Sequence, residues 1–217
     1  MTRTLALLRH GQTAWNAEGR AQGHIDVCLD EVGRAQAAAV APLMAALGPV
    51  FVRSSDLARA AETADVVAGA CGLTVVRDPR LREYDVGERG GLTMAEFELK
   101  LPDAHAAWVA AGGWSDNAGT VAGSESTADV LARMEPALRS ALSSLGPGET
   151  GIVVGHGASL RAAISALLGW EPSTIETVRG LANCGWATLE DSGRAGALRL
   201  AAYNRVAPDF TTSGAVG

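Results

Sequence analysis

The length, composition and charge of the chain indicate a globular protein without general affinity for polyanions. Of its 217 residues, 47% are hydrophobic and 19% are charged, enough apolar surface to fold around a core and too little charge for disorder throughout. The formal net charge of −6 excludes a general attraction to nucleic acid or to an anionic membrane surface. An anionic ligand therefore needs a local site. The only lysine, Lys100, precedes a leucine, which excludes a Gly-Lys-Ser/Thr phosphate loop.

Cysteine usage and the N-terminus favour an unprocessed cytoplasmic protein. The three cysteines form an odd number with no Cys-x-x-Cys pair, which indicates neither a disulfide framework nor a thiolate zinc site. The apolar run at residues 4–8 is too short for a secretion signal. Residues 35–52 carry no charge, but two prolines interrupt them, which predicts a buried helix, a turn and a strand rather than a membrane span.

Short apolar runs alternate with Ala- and Leu-rich helical stretches, a pattern typical of an α/β protein. We predict a three-layer α/β/α sandwich with a mostly parallel sheet, one antiparallel edge hairpin and a small helical insertion over the site. The predicted parallel strands are Thr4–Leu8, Val50–Arg53, Thr74–Arg77 and Gly151–Val154, and the hairpin strands are Trp186–Glu190 and Ala197–Tyr203. The predicted main helices are Asp30–Leu47, Asp56–Cys71, Ser126–Leu145 and Ala158–Leu168.

The predicted insertion covers roughly residues 87–123, the least regular part of the chain. A capping-box pattern at residues 93–96 predicts one short helix, and residues 103–111 predict a second. A glycine pair then precedes Trp114, which predicts a lid whose indole contacts the substrate. No domain boundary is visible, so residues 1–217 are expected to form one domain.

Charged side chains follow each predicted parallel strand at its carboxyl end, where ligands bind in α/β sheets. Arg9 and His10 follow the first strand, and His156 follows the last at the start of a helix, whose N-terminus favours anions. Arg59 lies in the first turn of the helix after the second strand, and Glu83 follows the third.

These side chains suit phosphoryl transfer. A guanidinium binds phosphate oxygens bidentately, an imidazole can attack phosphorus, and a protonated carboxyl can supply the proton of the leaving oxygen. Each residue alone also has a structural explanation. Arg59 can pair with Asp56 or Glu62, and Glu83 can be neutralised by Arg80 or Arg82. Because all four strand ends deliver such a group, the functional interpretation is favoured.

Three other motifs are less convincing. Residues 146–151 fit the pattern G-x-G-x-x-G, but they follow a helix and precede a strand, the reverse of the dinucleotide-binding order. Cys28 and Arg34 have the spacing of thiol phosphatases, yet two acidic residues between them would repel a phosphate dianion. A metal site has no local support in the spacing of the four histidines, His10, His24, His105 and His156.

Several short motifs in order resemble those of the histidine phosphatase superfamily, the phosphoglycerate mutase-like proteins. The resemblance spans essentially the whole chain. The motifs are Leu8-Arg9-His10-Gly11-Gln12-Thr13, Ser54-Ser55-Asp56-Leu57 with Arg59-Ala60, Leu81-Arg82-Glu83-Tyr84 with Gly87, Gly123-Ser124-Glu125-Ser126 and Gly155-His156-Gly157.

The resemblance implies roles for named residues and no need for a metal or cofactor. It implies that His10 is the nucleophile that becomes phosphohistidine and that Glu83 is the proton donor. The residues that would hold the phosphoryl oxygens are Arg9, Arg59 and His156. Further substrate contacts would come from Asn16, Gln22, Gly157 and Trp114. These roles are physically consistent, because cations stabilise charge on the equatorial oxygens and a nearby dianion favours a protonated carboxyl.

Within the family, the chain is similar to phosphatases rather than to mutases. Mutases are similar to this chain in the segment after the catalytic glutamate, but they carry a Leu-Asn-Lys sequence there and an arginine pair further on. This chain has neither of these features before Gly123. The expected activity is therefore hydrolysis of a phosphomonoester, a sugar phosphate or phosphoglycerate derivative, through phosphohistidine. The alternatives are a cofactor-dependent phosphoglycerate mutase and a non-catalytic protein that binds a phosphorylated ligand. A small metabolite is the expected partner, without nucleic acid or membrane, and a homodimer is left open.

Overall fold

The computed structural model describes residues 2–112, 121–171, 174, 177–191 and 197–208. Its strands are β1 Thr4–Arg9, β2 Pro49–Ser54, β3 Val75–Arg77, β4 Thr150–Gly155, β5 Trp186–Asp191 and β6 Leu198–Arg205. They form one sheet in the order β3-β2-β4-β1-β5-β6. The pairs β2–β3, β2–β4 and β1–β4 are parallel, whereas β5 runs antiparallel to both β1 and β6.

The helices are α1 Ala14–Ala17, α2 Glu31–Ala45, α3 Ala58–Cys71, α4 Met94–Lys100, α5 Pro102–Ala110, α6 Thr127–Ser143 and α7 Gly157–Leu168. Short 3-10 helices lie at Pro79–Leu81 and Gly87–Arg89. Among the described helices, none is both long and apolar enough to cross a bilayer.

The two faces of the sheet carry separate apolar cores, which makes the fold a three-layer α/β/α sandwich. Successive side chains of a strand point to opposite faces. In β1, Leu5 and Leu7 pack with α6 and α7, whereas Ala6 and Leu8 pack with α2 and α3. All four side chains are buried. This pattern confirms the predicted fold class and leaves the carboxyl ends of the parallel strands as the open edge of the sheet.

The predicted elements agree with the structure except at their ends. Every predicted parallel strand is present within a residue or two of its bounds, and so are the two hairpin strands, although the turn residues 192–196 lie outside the described part. Helix α2 continues through Pro42 to Ala45. Helix α3 begins at Ala58 with Leu57 as its N-cap, two residues after the predicted start at Asp56.

Candidate active site

The carboxyl ends of four adjacent parallel strands meet at one edge of the sheet, and each delivers a side chain predicted for the site. Strand β1 ends at Arg9 and leads into His10, and β4 ends at Gly155 next to His156. Arg59 is the second residue of α3, directly after β2, and Glu83 follows β3 and a 3-10 helix. The structure therefore brings together the five predicted catalytic residues.

His10 is buried and held as a neutral imidazole. Its side chain is 3% exposed, and Nδ1 lies 2.7 Å from the carbonyl oxygen of Gly11. Since a carbonyl oxygen only accepts hydrogen bonds, Nδ1 carries the proton and Nε2 keeps its lone pair. Burial lowers the pKa of His10 well below its usual range, and the charges of Arg59 and Arg9 lower it further. A neutral imidazole with a free Nε2 lone pair can act as a nucleophile.

His156 lies against His10, with the ring centroids 5.2 Å apart and the planes at 60°. Its Nε2 is 2.8 Å from Oγ of Ser55. The Ser55 oxygen also accepts the backbone N–H of Leu57, and Nε2 is the one other partner of this hydroxyl among the described residues, so we assign the hydroxyl as the donor to Nε2. Nδ1 then carries the ring proton, and it has no hydrogen-bond partner among the described residues. Burial, followed by the charge of Arg59, lowers the pKa of His156 well below its usual range.

The two arginines are anchored by backbone carbonyls, and neither forms an ion pair with a carboxylate of the described residues, although the charge of Glu83 acts on both. Arg59 donates to the oxygens of Gly23 at 2.7 Å and Ile25 at 3.0 Å, and Arg9 donates to Leu181 at 2.6 Å. The Nε–H of each arginine is buried without a partner among the described residues. Burial lowers the pKa of Arg59 to about 10 and also lowers the pKa of Arg9. Unsatisfied donors on buried cations favour a bound anion.

The structural explanation for Arg59 is wrong, since its expected carboxylate partners pair elsewhere. Asp56 forms an ion pair with Arg82 at 2.6 Å, and Glu62 forms one with Arg34 at 2.6 Å. The ion pair between Arg34 and Glu62 also argues against a thiol phosphatase site. Arg34 is engaged by that carboxylate, and Cys28 is exposed rather than enclosed in a pocket with it.

The carboxylate of Glu83 lies at the N-terminus of α7. Its oxygens accept the backbone N–H groups of Ala158 at 3.0 Å, Ser159 at 2.8 Å and Tyr84 at 3.0 Å. The neighbouring arginines do not neutralise it, because Arg80 pairs with Asp78 and Arg82 with Asp56. Glu83 is thus placed by α7, the helix that follows His156.

Three glycines permit the close approach of these segments. A Cβ on Gly11 would lie 2.5 Å from the carbonyl oxygen of Gly33, and a Cβ on Gly33 would collide with the carbonyl oxygen of Gln12. Helix α2 can therefore pack directly on the loop that follows β1. A Cβ on Gly157 would lie 3.2 Å from Nε of Arg9, so the absence of a side chain there leaves room for the guanidinium.

The predicted substrate contacts lie beside His10, in a hydrogen-bonded group of their own. Thr13 donates its backbone N–H to Oδ1 of Asn16 at 3.1 Å, and its hydroxyl donates to Oε1 of Gln22 at 3.1 Å. Asn183 donates to both the carbonyl oxygen of His10 at 3.1 Å and Oδ1 of Asn16 at 3.3 Å. Contact of Asn16 and Gln22 with a substrate stays a prediction. Trp114, the remaining predicted contact, lies outside the described residues.

Sequence reasoning gave no role to three residues that orient the site. Ser55 contacts His156, Asn183 contacts His10, and Thr63 accepts the backbone N–H of Gly11 at 3.1 Å while donating to the carbonyl oxygen of Arg59 at 2.7 Å. Of the three, Ser55 alone belongs to a motif that carries the family resemblance. Their partners, however, lie far away in the sequence, so local patterns could not reveal these contacts. Within the described ranges, no group of three or more His, Cys, Asp or Glu side chains could hold a metal ion.

The fold is an α/β sandwich, and its site places two arginines beside a neutral histidine at the carboxyl ends of the parallel strands. The family model of the histidine phosphatase superfamily, branch 1, matches residues 5–204. The chain belongs to the histidine phosphatase superfamily.

Named relatives give a finer comparison. The chain is 35% identical to a glucosyl-3-phosphoglycerate phosphatase of Mycolicibacterium vanbaalenii over 199 residues, covering 89% of this chain and 86% of that one. It is 40% identical to a probable phosphoglycerate mutase of Cronobacter sakazakii over 187 residues, covering 82% and 80%. A solved mycobacterial glucosyl-3-phosphoglycerate phosphatase in complex with VO3 superposes with a TM-score of 0.82 at 34% identity, covering 93% and 99%. The chain is a phosphoric monoester hydrolase of this superfamily.

Proposed function

We propose that the chain hydrolyses a small sugar phosphate or phosphoglycerate derivative through a phosphohistidine on His10. One observation carries the proposal: a buried, neutral His10 keeps its Nε2 lone pair beside two arginines, each with an Nε–H that has no partner in the described part of the chain. The names of the relatives favour an ester of a glucosylated phosphoglycerate.

In the first step, Nε2 of His10 attacks phosphorus, an N–P bond forms and the P–O bond to the alcohol breaks. Glu83 acts as the acid and gives a proton to the leaving oxygen. In the second step, water attacks phosphorus, Glu83 takes a proton from that water, and the N–P bond breaks to release inorganic phosphate and neutral His10. Glu83 is thus returned to its protonated form.

The groups around His10 supply the electrostatic stabilisation. The Nε–H of Arg9, the Nε–H of Arg59 and the Nδ1–H of His156 have no partner among the residues that the structure describes and can donate to the equatorial oxygens. Their positions are fixed before substrate binds, since backbone carbonyls hold both arginines and Ser55 holds His156. Asn16, Gln22, Gly157 and Trp114 complete the proposed substrate contacts.

A panel of phosphate esters tests the proposal. Glucosyl-3-phosphoglycerate, simple sugar phosphates, 3-phosphoglycerate and nucleotides are each assayed for released phosphate, with His10→Ala as the inactive control. We expect release from one or more sugar or glycerate esters and none from His10→Ala. Conversion of 3-phosphoglycerate to its isomer, dependent on a bisphosphoglycerate primer and faster than phosphate release, would instead establish the mutase. Tight phosphate binding without turnover of any ester would establish a non-catalytic binding protein.

We also propose a cytoplasmic location, a single domain over residues 1–217 and a homodimer. Free thiols at Cys28, Cys71 and Cys184 support a reducing compartment. Light scattering on the purified chain distinguishes a dimer from a monomer.

A further inference from the structure

We propose that His24 is a positioning residue that holds Glu83 in place relative to Arg59 for proton transfer. The proposal rests on the proposed function, in which Glu83 is the acid. His24 lies on the loop between α1 and α2, and its imidazole contacts neither His10 nor His156 in any hydrogen bond of the described structure.

The tripeptide 23–25 contacts both functional groups at once. The Nε2 of His24 lies 2.8 Å from the carbonyl oxygen of Glu83. That oxygen can only accept, so Nε2 carries a proton and donates it. Gly23 and Ile25 lie on either side of His24, and their carbonyl oxygens accept hydrogen bonds from the two terminal nitrogens of Arg59. A shift of this loop would therefore move the phosphate-binding arginine and the acid relative to each other.

The backbone carbonyl of Glu83 has a second donor, which comes from α6. Arg133 on α6 donates through Nη2 to the same carbonyl oxygen at 2.7 Å and forms an ion pair with Glu125 at 2.7 Å. Glu125 in turn accepts the backbone N–H of Asp85 at 2.8 Å. The carbonyl of Glu83 is thus held between two elements, α6 and the loop that contains His24.

Two carboxylates lie near the imidazole. Nδ1 of His24 lies 3.5 Å from Oδ2 of Asp85, and Nε2 lies 3.8 Å from Oε2 of Glu125. The ring is about one-quarter exposed, with a side-chain accessibility of 27%. Because its contacts come from residues near 83–85 and from residue 125, the ring links segments that are distant in the sequence.

Loss of the His24 contact should affect proton transfer more than phosphate binding. A shift of a few tenths of an ångström at a proton donor lowers the rate of proton transfer, because general acid catalysis requires hydrogen-bond distance. The anchors of Arg59 are backbone carbonyls and do not involve the imidazole. A change in kcat without a matching change in KM is therefore expected.

The test compares His24→Ala with His24→Gln on two esters, the best sugar phosphate from the panel and an aryl phosphate with an acidic phenol. We expect His24→Ala to lower kcat for the sugar phosphate about tenfold, with KM and the aryl phosphate rate nearly unchanged. The amide N–H of His24→Gln can donate to the carbonyl of Glu83, so this variant should recover most of the rate. His105→Gln is the matched control, since His105 packs on Phe97 and Trp108 at ring distances of 5.2 and 6.3 Å.

The outcomes separate this proposal from the proposed function. Glu83→Gln is measured alongside on both esters. If Glu83→Gln is selective for the sugar phosphate but His24→Ala slows both esters alike, or slows neither, the role of His24 is overturned while the acid role of Glu83 stands. The role of His24 is also overturned if His24→Gln loses as much activity as His24→Ala. If Glu83→Gln itself slows both esters alike, the acid role fails and the His24 proposal fails with it.

Discussion

Glu83 combines a structural contact with the proposed acid role, and a change of leaving group separates the two. Its carboxylate accepts three backbone N–H groups, two of them from α7. We expect Glu83→Gln to lower kcat/KM for a sugar phosphate about 10²–10⁴-fold, the usual contribution of general acid catalysis. An aryl phosphate should lose less than about tenfold, because an acidic phenol leaves without protonation.

The control for this change is Glu98→Gln, on the exposed face of α4. Thermal unfolding of both variants shows whether the amide of Glu83→Gln, which places an N–H donor against backbone donors, weakens the fold. Equal losses on the two esters would show that Glu83 only orders the site. The acid role would then pass to another carboxyl, with Asp85 and Glu88 the next to be replaced.

Ser55 is predicted to set the proton position on His156. Removing the Ser55 hydroxyl leaves a buried ring nitrogen without its partner, which costs about 1–3 kcal/mol. Without this contact His156 is no longer held in the tautomer that donates from Nδ1, and a hydrogen bond to a charged oxygen is worth about 1.5–3 kcal/mol, so we expect Ser55→Ala to lower kcat/KM about tenfold to a hundredfold. The matched control is Ser54→Ala, which removes an equally buried hydroxyl whose hydrogen bond goes to the carbonyl of Ser55. Equal effects of the two substitutions on kcat/KM would contradict an orienting role for Ser55.

At the scale of elements, the N-terminus of α7 and the end of β1 must approach closely. Gly157→Ala would place a Cβ 3.2 Å from Nε of Arg9, tighter than an ordinary contact, so the guanidinium must shift. We expect weaker inhibition by inorganic phosphate and a higher KM, because Arg9 is a proposed phosphate donor. Phosphate inhibition constants for the parent and the variant check this.

Gly69→Ala in α3 is the matched control. An added Cβ meets no atom within 4 Å there, and alanine in a helix interior stabilises by about 0.5–1 kcal/mol relative to glycine. Unchanged phosphate inhibition is expected for Gly69→Ala. If Gly157→Ala also leaves phosphate inhibition unchanged, Arg9 does not depend on this contact.

The sheet, the helices and the five central site residues were predictable because they follow local patterns. Apolar runs mark the strands, and the carboxyl ends of parallel strands meet at one edge whatever the details of packing. The start of α3 shows where local patterns no longer suffice. Its first N–H is capped by Asp26 at 2.6 Å, since Asp56 pairs with Arg82 and Ser55 is held by Leu57 and His156.

The hydrogen bonds around Glu83 could not be predicted from the sequence either. Arg133 lies 50 residues from Glu83, and His24 lies 59 residues away. In the sequence, Arg133 is one more charge on a helix and His24 one of four histidines without metal spacing. Only the packing of α6 and of the loop containing His24 on the same backbone carbonyl gives them a shared task.

At the scale of the whole molecule, two buried neutral histidines make stability depend on pH. Burial lowers the folded-state pKa of both His10 and His156 below the ordinary value. Above that ordinary value, about 6.5, neither state binds the protons. Below it, the unfolded chain binds protons that the folded chain does not bind. The free energy of unfolding therefore decreases as the pH decreases, until the folded-state pKa is reached.

Each histidine contributes up to about 1.4 kcal/mol per pH unit in this range. Urea unfolding of the parent at about pH 7.5, 6.5 and 5.5 should show this loss below about pH 6.5. His10→Asn and His156→Asn should each have a shallower slope there. The same slope in the parent and both variants would show that the buried histidines do not determine acid sensitivity.

The phosphoryl group is proposed to pass through His10, and trapping the intermediate tests this most directly. The enzyme is mixed briefly with a ³²P-labelled ester, quenched in alkali and digested, and the labelled peptide is sequenced. We expect label on His10 that survives base and is lost in acid, because a phosphoramidate has that stability. We expect no label on the His10→Ala variant. The His156→Asn variant should still be labelled on His10. Acid-stable label, or label on any other residue, would contradict transfer through His10.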